Sequence, residues 1–257
     1  MRLTRHLFMT TLLLAGITAA ASFSGGEPGT QAEKKKYQRS DNDGTITGVV
    51  SFTGQRPAEH LIEMWADPQC RINNPSPKTE LIVGNQGRLA NVFVYVKSSA
   101  VLDNLSFDTP GAPILIDQKR CRFVPHVVGA QTNQVVEIAN SDPTTHNVHP
   151  QPMTNTEWNQ SYVSGAPPMR KQFSRPEVMV PIKCNQHPWM KMYLGVLSHP
   201  FFAVSDQNGT FRIEGLPPGS YTIAAWHEKL GEKTMEVSVP GYSQQQLDFT
   251  FKPGDTW

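Results

Sequence analysis

Charge of one sign is what this sequence most plainly lacks. Lys and Arg number 23, Asp and Glu 22, and the formal net charge is +1. Such a balance offers no basic stripe to nucleic acid and no polybasic patch to an anionic membrane surface. Long apolar runs are also missing. Beyond the N-terminal segment nothing approaches the roughly 20 apolar positions that a spanning helix requires. No long stretch carries the 3.6-residue apolar period of an amphipathic helix. No Gly-x-Ser-x-Gly elbow is present, so a serine hydrolase of that kind has no support. Cysteine is scarce and odd in number: Cys70, Cys121 and Cys184. In an exported chain, pairing two of them leaves one thiol that needs an explanation.

What the chain has in quantity is turn chemistry. Pro (21) and Gly (19) punctuate short apolar runs, and 38% of residues are hydrophobic. That is enough for a core built from many short strands, and the expected class is all-β. Residues 1–21 read as a signal peptide. Met1 to Arg5 is basic, Leu7 to Ala15 is mainly apolar, and Ala19 to Ala21 supply small residues. An uncleaved anchor is the alternative. The expected location is periplasmic or extracellular, where disulfides persist, and no Cys stands near the cleavage region to mark a lipoprotein. Residues 22–43 are polar and aperiodic and read as a flexible linker. After them, strand-like runs alternate with turns to the C-terminus, with an irregular loop from Pro68 to Lys78 and an Asn-Gly turn at Asn208-Gly209.

One short loop, Cys184-Asn185-Gln186-His187-Pro188-Trp189-Met190, sets a thiol, an imidazole and a thioether close together. A second imidazole, His146, follows a predicted strand in Asn140-Ser141-Asp142-Pro143-Thr144-Thr145-His146. A soft thiolate, two imidazoles and a weak thioether form a donor set that suits both oxidation states of copper. Pro188 stiffens the loop by fixing φ. Met192 is the rival of Met190 for the thioether position. A binuclear copper centre needs a second Cys on the loop, and there is none. A Cys-His-His zinc site is chemically open, though a Met is a poor choice for it. His149 is expected to face away from the site. His126, His199 and His227 read as hydrogen-bonded structural residues. For Cys70 and Cys121 a disulfide is expected, pinning residues 56–80 to the metal-binding region; two separate buried thiols are the alternative.

The loop and the Ile138–His149 segment resemble the cupredoxins, closest to amicyanin and plastocyanin. The resemblance covers about residues 111–198 and implies a Greek-key β-sandwich holding one mononuclear copper ion through His146, Cys184, His187 and Met190. It further implies that Asn140 ties the two ligand-bearing segments together. The pattern departs just before Cys184, where Val180-Pro181-Ile182-Lys183 replaces the usual aromatic-containing strand. Residues 201–252 resemble the carboxypeptidase regulatory-like domain and the middle domain of rhamnogalacturonan lyases, small prealbumin-like β-sandwiches. Gly48–Gly54 and Ala90–Val96 look like first strands of the same module. Residues 44–110 and 199–252 are therefore expected to form one sandwich with the cupredoxin inserted; two sequential domains are the alternative.

The expected function is electron transfer by Cu(I)/Cu(II) cycling with a redox protein such as a c-type cytochrome or a dehydrogenase. His187 would be the exposed edge, and Pro188 and Trp189 a small apolar docking patch. A carbohydrate-binding or structural module is the other reading, with Trp226, Tyr221 and Trp189 as a candidate sugar platform. An enzyme is not expected: copper oxidases and nitrite reductases need further histidine clusters, and the eight histidines are scattered.

Overall fold

Strand Gly44–Phe52 shows the rule that builds most of the molecule. Ile46, Val50 and Phe52 are buried while Thr45, Thr47, Val49 and Ser51 are half-exposed, the period of two that a strand with one covered face imposes. The computed structural model describes residues 33–254 apart from 66, 76, 80 and 81. The expected signal peptide and the first half of the expected linker lie outside the described residues. From Lys34 onward the chain forms one compact unit. It is all-β, as the turn-rich sequence implies. Among the described residues no helix is long and apolar enough to cross a membrane.

Two sets of sheets enclose two main cores. In the first set, one sheet runs Phe202–Val204, Phe93–Ser98, Gly219–His227, Gly231–Val239. The other runs Thr210–Leu216, Gly44–Phe52, Gln244–Gln246, with Phe249–Phe251 continuing along Gly44–Phe52 in parallel. Their core includes Ile46, Val94, Phe211, Tyr221, Ile223 and Phe249. In the second set, a five-stranded sheet runs Gln160–Tyr162, His146–Pro150, Glu177–Lys183, Lys191–Leu197, Val127–Gln131. It faces a four-stranded sheet of Met169–Lys171, Val136–Asn140, Ile114–Gln118 and Phe123–Val124. Their core includes Ile116, Ile138, Val148, Ile182, Leu194 and Val196, and it also takes Met64 and Cys70.

The two sets meet at a glycine seam. Gly195 and Gly129 are register partners on adjacent strands. A Cβ on Gly195 would stand 2.4 Å from the Phe93 ring, and one on Gly129 2.4 Å from the Phe202 ring. Only bare backbone lets these aromatics lie flat on the second sheet. Phe93, Tyr95, Val127, Met179, Leu197 and Ala224 form a third, smaller cluster around that contact.

Two expectations need correction. The second half of the expected flexible linker is held in place. Lys35–Lys36 pairs with Leu105–Ser106. Tyr37 packs on Phe107 and Phe201, and its hydroxyl donates to Gly215 O at 2.6 Å. One aromatic residue in a charged run anchors it. The expected irregular loop after Pro68 begins instead with a short helix, Pro68–Asn73, capped by the Asp67 side chain. Asp at the cap with Pro at the first helical position is a recognised start signal.

Candidate metal centre

The ligand-type residues sit at one end of the five-stranded sheet, where three neighbouring strands begin or stop. His146 starts His146–Pro150, Cys184 follows Glu177–Lys183, and Met190 precedes Lys191–Leu197. Lys183 is the register partner of both His149 and Lys191, so the sheet itself fixes how these three points stand to one another. The connecting loop closes on itself. Cys184 N–H donates to Met190 O at 3.1 Å, and Met190 N–H to His187 O at 2.9 Å. Asn147 locks loop to strand: its N–H donates to Cys184 Sγ at 3.3 Å, and its Oδ1 accepts from Asn185 N–H.

These contacts bring His146, Cys184 and His187 into one buried group whose ligand atoms all lie within 4.8 Å of one another. His146 is 0%, Cys184 1% and His187 3% exposed. His187 Nδ1 lies 3.5 Å from Cys184 Sγ and 2.9 Å from His146 Nδ1. Met190 and Met192 are both fully buried. Met190 is tied by its backbone to Cys184 and His187. Met192 pairs with Ile182 inside the sheet.

Both outer ring nitrogens meet carboxylates. His146 Nε2 is 2.9 Å from Asp142 Oδ2, and His187 Nε2 is 3.1 Å from Asp67 Oδ2. An ionised carboxylate only accepts, so each Nε2 carries the proton. A neutral pair would then oppose two Nδ1 lone pairs across 2.9 Å beside a sulfur. That arrangement needs a cation between the rings, either a proton or a metal ion. The donor set, with a thioether on the closing loop, is the soft and imidazole mixture that copper takes. The residues present fit that ion.

The electrostatics agree. Burial works to raise the Cys184 pKa, but hydrogen bonding with His146 and His187 and from the N–H groups of Asn147 and Gln186 outweighs it and holds the thiol at about 6. Burial works to lower His146, but its bonds to Asp142 and Cys184 raise it to about 9. Asp142 is held by the N–H groups of Arg120 and Cys121, both at 2.7 Å. Burial works to raise Asp67, and hydrogen bonds from Thr144, Cys70 N–H, His187 and Gln69 N–H outweigh it and hold the carboxyl below its usual range.

Other sequence expectations fare differently. Cys70 and Cys121 form a disulfide, with Cα atoms 5.5 Å apart, and Cys184 is the free thiol. Asn140 does not tie the two ligand segments. Its Nδ2 donates to Thr144 O and Tyr162 O, and its Oδ1 accepts from Asp142 N–H, so it shapes the turn before His146. It ends its own strand, and its side chain is taken up by that turn and by Tyr162 O; Asn147, next to His146, does the bridging. His187 is not an exposed edge. Asp67 and Cys70 lie against it, with Cys70 Sγ 3.8 Å from Nε2. Trp189, half-buried, lies against the His187 ring at 5.1 Å. Trp226, Tyr221 and Trp189 form no shared platform, since each belongs to a different one of the three clusters. His149 turns away, to Asn185 at 3.0 Å and Glu157 at 2.6 Å. Asp67, Asp142 and Asn147 were missed. Asp142 stands four residues before His146 and could have been found. Asp67 is 120 positions from His187 and carries only a capping signal.

No family model matches this sequence, and no curated protein matches it. Among solved structures, it is similar to the Cu-containing nitrite reductase (NirK) of Thermus scotoductus SA-01, at 18% identity and TM-score 0.31 over 41% of this chain and 28% of that one. A purple cupredoxin from Nitrosopumilus maritimus matches at 16% identity and TM-score 0.28, over 32% of this chain and 98% of its own. Amicyanin from Paracoccus versutus matches at 15% identity and TM-score 0.30, over 40% and 96%. The chain thus spans little more than a quarter of the nitrite reductase.

Proposed function

We propose that this chain is an exported mononuclear copper protein that exchanges single electrons with a redox protein, in the manner expected of a c-type cytochrome or dehydrogenase partner. One observation carries the reading: two imidazole Nδ1 atoms face each other across 2.9 Å beside the Cys184 sulfur, with both Nε2 protons held by carboxylates. Copper bound there would supply a one-electron couple between Cu(I) and Cu(II). The chain's own residues do the rest. Asn147 and the two loop hydrogen bonds hold the thiolate, Asp142 and Asp67 hold the rings, and Met190 is the thioether. A donor set fixed by a β-sheet changes little between oxidation states, which favours fast transfer.

A carrier is proposed rather than an enzyme because the three ligand residues are sealed from solvent, which leaves no approach for a substrate. The surface is reached through Trp189, which touches His187 and is partly exposed. We further propose that residues 44–110 with 199–252, and residues 111–198, are two modules, the second carried within the first. The makeup of the two main cores supports this, with residues 62–70 crossing over to the metal-binding side. The test is voltammetry of the purified mature protein after loading with Cu(II). One copper per chain and a reversible one-electron wave are expected. Binding of zinc in preference to copper, or copper without a reversible wave, would overturn the carrier reading.

A further inference from the structure

Asp67 and Cys70 lie far in sequence from both ligand segments, yet both reach the metal centre at His187. Asp67 Oδ2 stands 3.1 Å from His187 Nε2. This carboxylate is held from several sides. Its Oδ1 accepts from Gln69 N–H at 2.8 Å and Cys70 N–H at 3.2 Å, as the cap of the helix. Its Oδ2 accepts from the Thr144 hydroxyl at 2.7 Å. The helix it caps is bound through Cys70 to Cys121, next to the backbone N–H groups that hold Asp142. Capping uses only Oδ1. The second oxygen is left for the histidine.

Two consequences follow from elementary chemistry. A neutral imidazole carries one N–H, so a carboxylate at Nε2 leaves the lone pair on Nδ1, the nitrogen that faces Cys184 and His146. A buried negative charge also favours a nearby metal ion more strongly when the ion carries more positive charge. We propose that Asp67 is a positioning residue of the metal centre, turning His187 Nδ1 to the metal and biasing bound copper toward Cu(II), which lowers its reduction potential. The second half rests on the copper reading; the first half stands on the hydrogen-bond geometry alone. Asp142 holds His146 from four residues away, within its own turn. Asp67 depends on a distant segment brought in by the fold.

The variant Asp67→Asn tests this, because Asn caps a helix as well as Asp does, while the charge and the acceptor that faces His187 Nε2–H are both lost. Thr144→Val removes support from Asp67 without touching His187. Two readouts are needed: nitrogen–proton NMR of the His187 ring in metal-free protein, and the reduction potential of copper-loaded protein. In the wild type, His187 should show an Nε2–H protected from exchange with water, and Asp67→Asn should lose that protection. Cu(II) affinity should fall about 10- to 100-fold with a smaller loss for Cu(I). The potential then rises by about 59 mV for each tenfold difference. Thr144→Val should move both readouts the same way by less. A wild-type His187 without Nε2–H, or an Asp67→Asn potential equal to the wild type, overturns the proposal. If the ring result holds while the wild type shows no copper–thiolate signal, the positioning role is supported and the copper reading is what fails.

Discussion

Facing imidazoles are costly to hold unless something positive lies between them, and here the sheet, the loop and two carboxylates all hold them there. The two methionines differ in backbone setting. Met190 closes the loop through its backbone, while Met192 points from within a paired strand into the core. Met190→Leu should therefore change both the visible spectrum and the potential of the copper protein, since the thioether adjusts the site. Met192→Leu, a volume-conserving swap, should leave both unchanged and cost under about 1.5 kcal/mol of stability. Absorption and voltammetry of the two variants decide it, and the reverse pattern would assign the thioether to Met192. The close grouping of His146, Cys184 and His187 was legible because two of the three share one short loop. Asn147 was hidden by its neighbour: an Asn beside a ligand His gives no signal of its own until register places it against Asn185.

At the scale of elements, the strands were legible wherever one face is buried, as in Gly44–Phe52 and Thr210–Leu216, where alternation survives in the burial pattern. The covering segment was not, because residues 61–75 have no period and owe their position to a disulfide. That disulfide spans 51 positions, and chain-entropy reasoning assigns such a closure about 2–4 kcal/mol. The double variant Cys70→Ser, Cys121→Ser should lose stability of that order in denaturant melts of the metal-free protein. It should also let water reach His187, read as faster exchange of its ring proton. A variant as stable as the wild type, with His187 still protected, would show that packing of Met64 and Asp67 suffices. The glycine seam makes a second claim. Gly195→Ala should cost roughly 1–3 kcal/mol by overpacking against Phe93, whereas alanine at Gly111, with open space around it, should be nearly neutral. Equal effects at the two positions would contradict the close contact.

Across the whole molecule, the two main cores share a polar border as well as an aromatic one. His126 links Lys191 O at 3.1 Å to Glu228, and the Tyr193 hydroxyl donates to the same carboxylate at 3.2 Å. The contact between the two sets of sheets was not legible, because it depends on glycines and aromatics that meet only in the folded chain. Acid sensitivity belongs to this scale. Burial first of all drives His199 and His227 down from 6.5 to about 4. Each folded-state value lies below the unfolded one, so their contribution is complete above pH 6.5 and is lost as pH falls through 4. Each accounts for roughly 3 kcal/mol. Unfolding free energy should drop steadily between pH 6.5 and 4, and His227→Asn should flatten part of that slope; a flat wild-type profile would contradict it. The central claim is a copper–thiolate bond at Cys184, and the most direct measurement is the visible absorption spectrum of the purified protein with one equivalent of Cu(II), beside Cys184→Ser. An intense thiolate-to-copper band in the wild type that vanishes in the variant is expected. A folded, copper-loaded wild type without that band, or a band that survives in Cys184→Ser, would contradict the account.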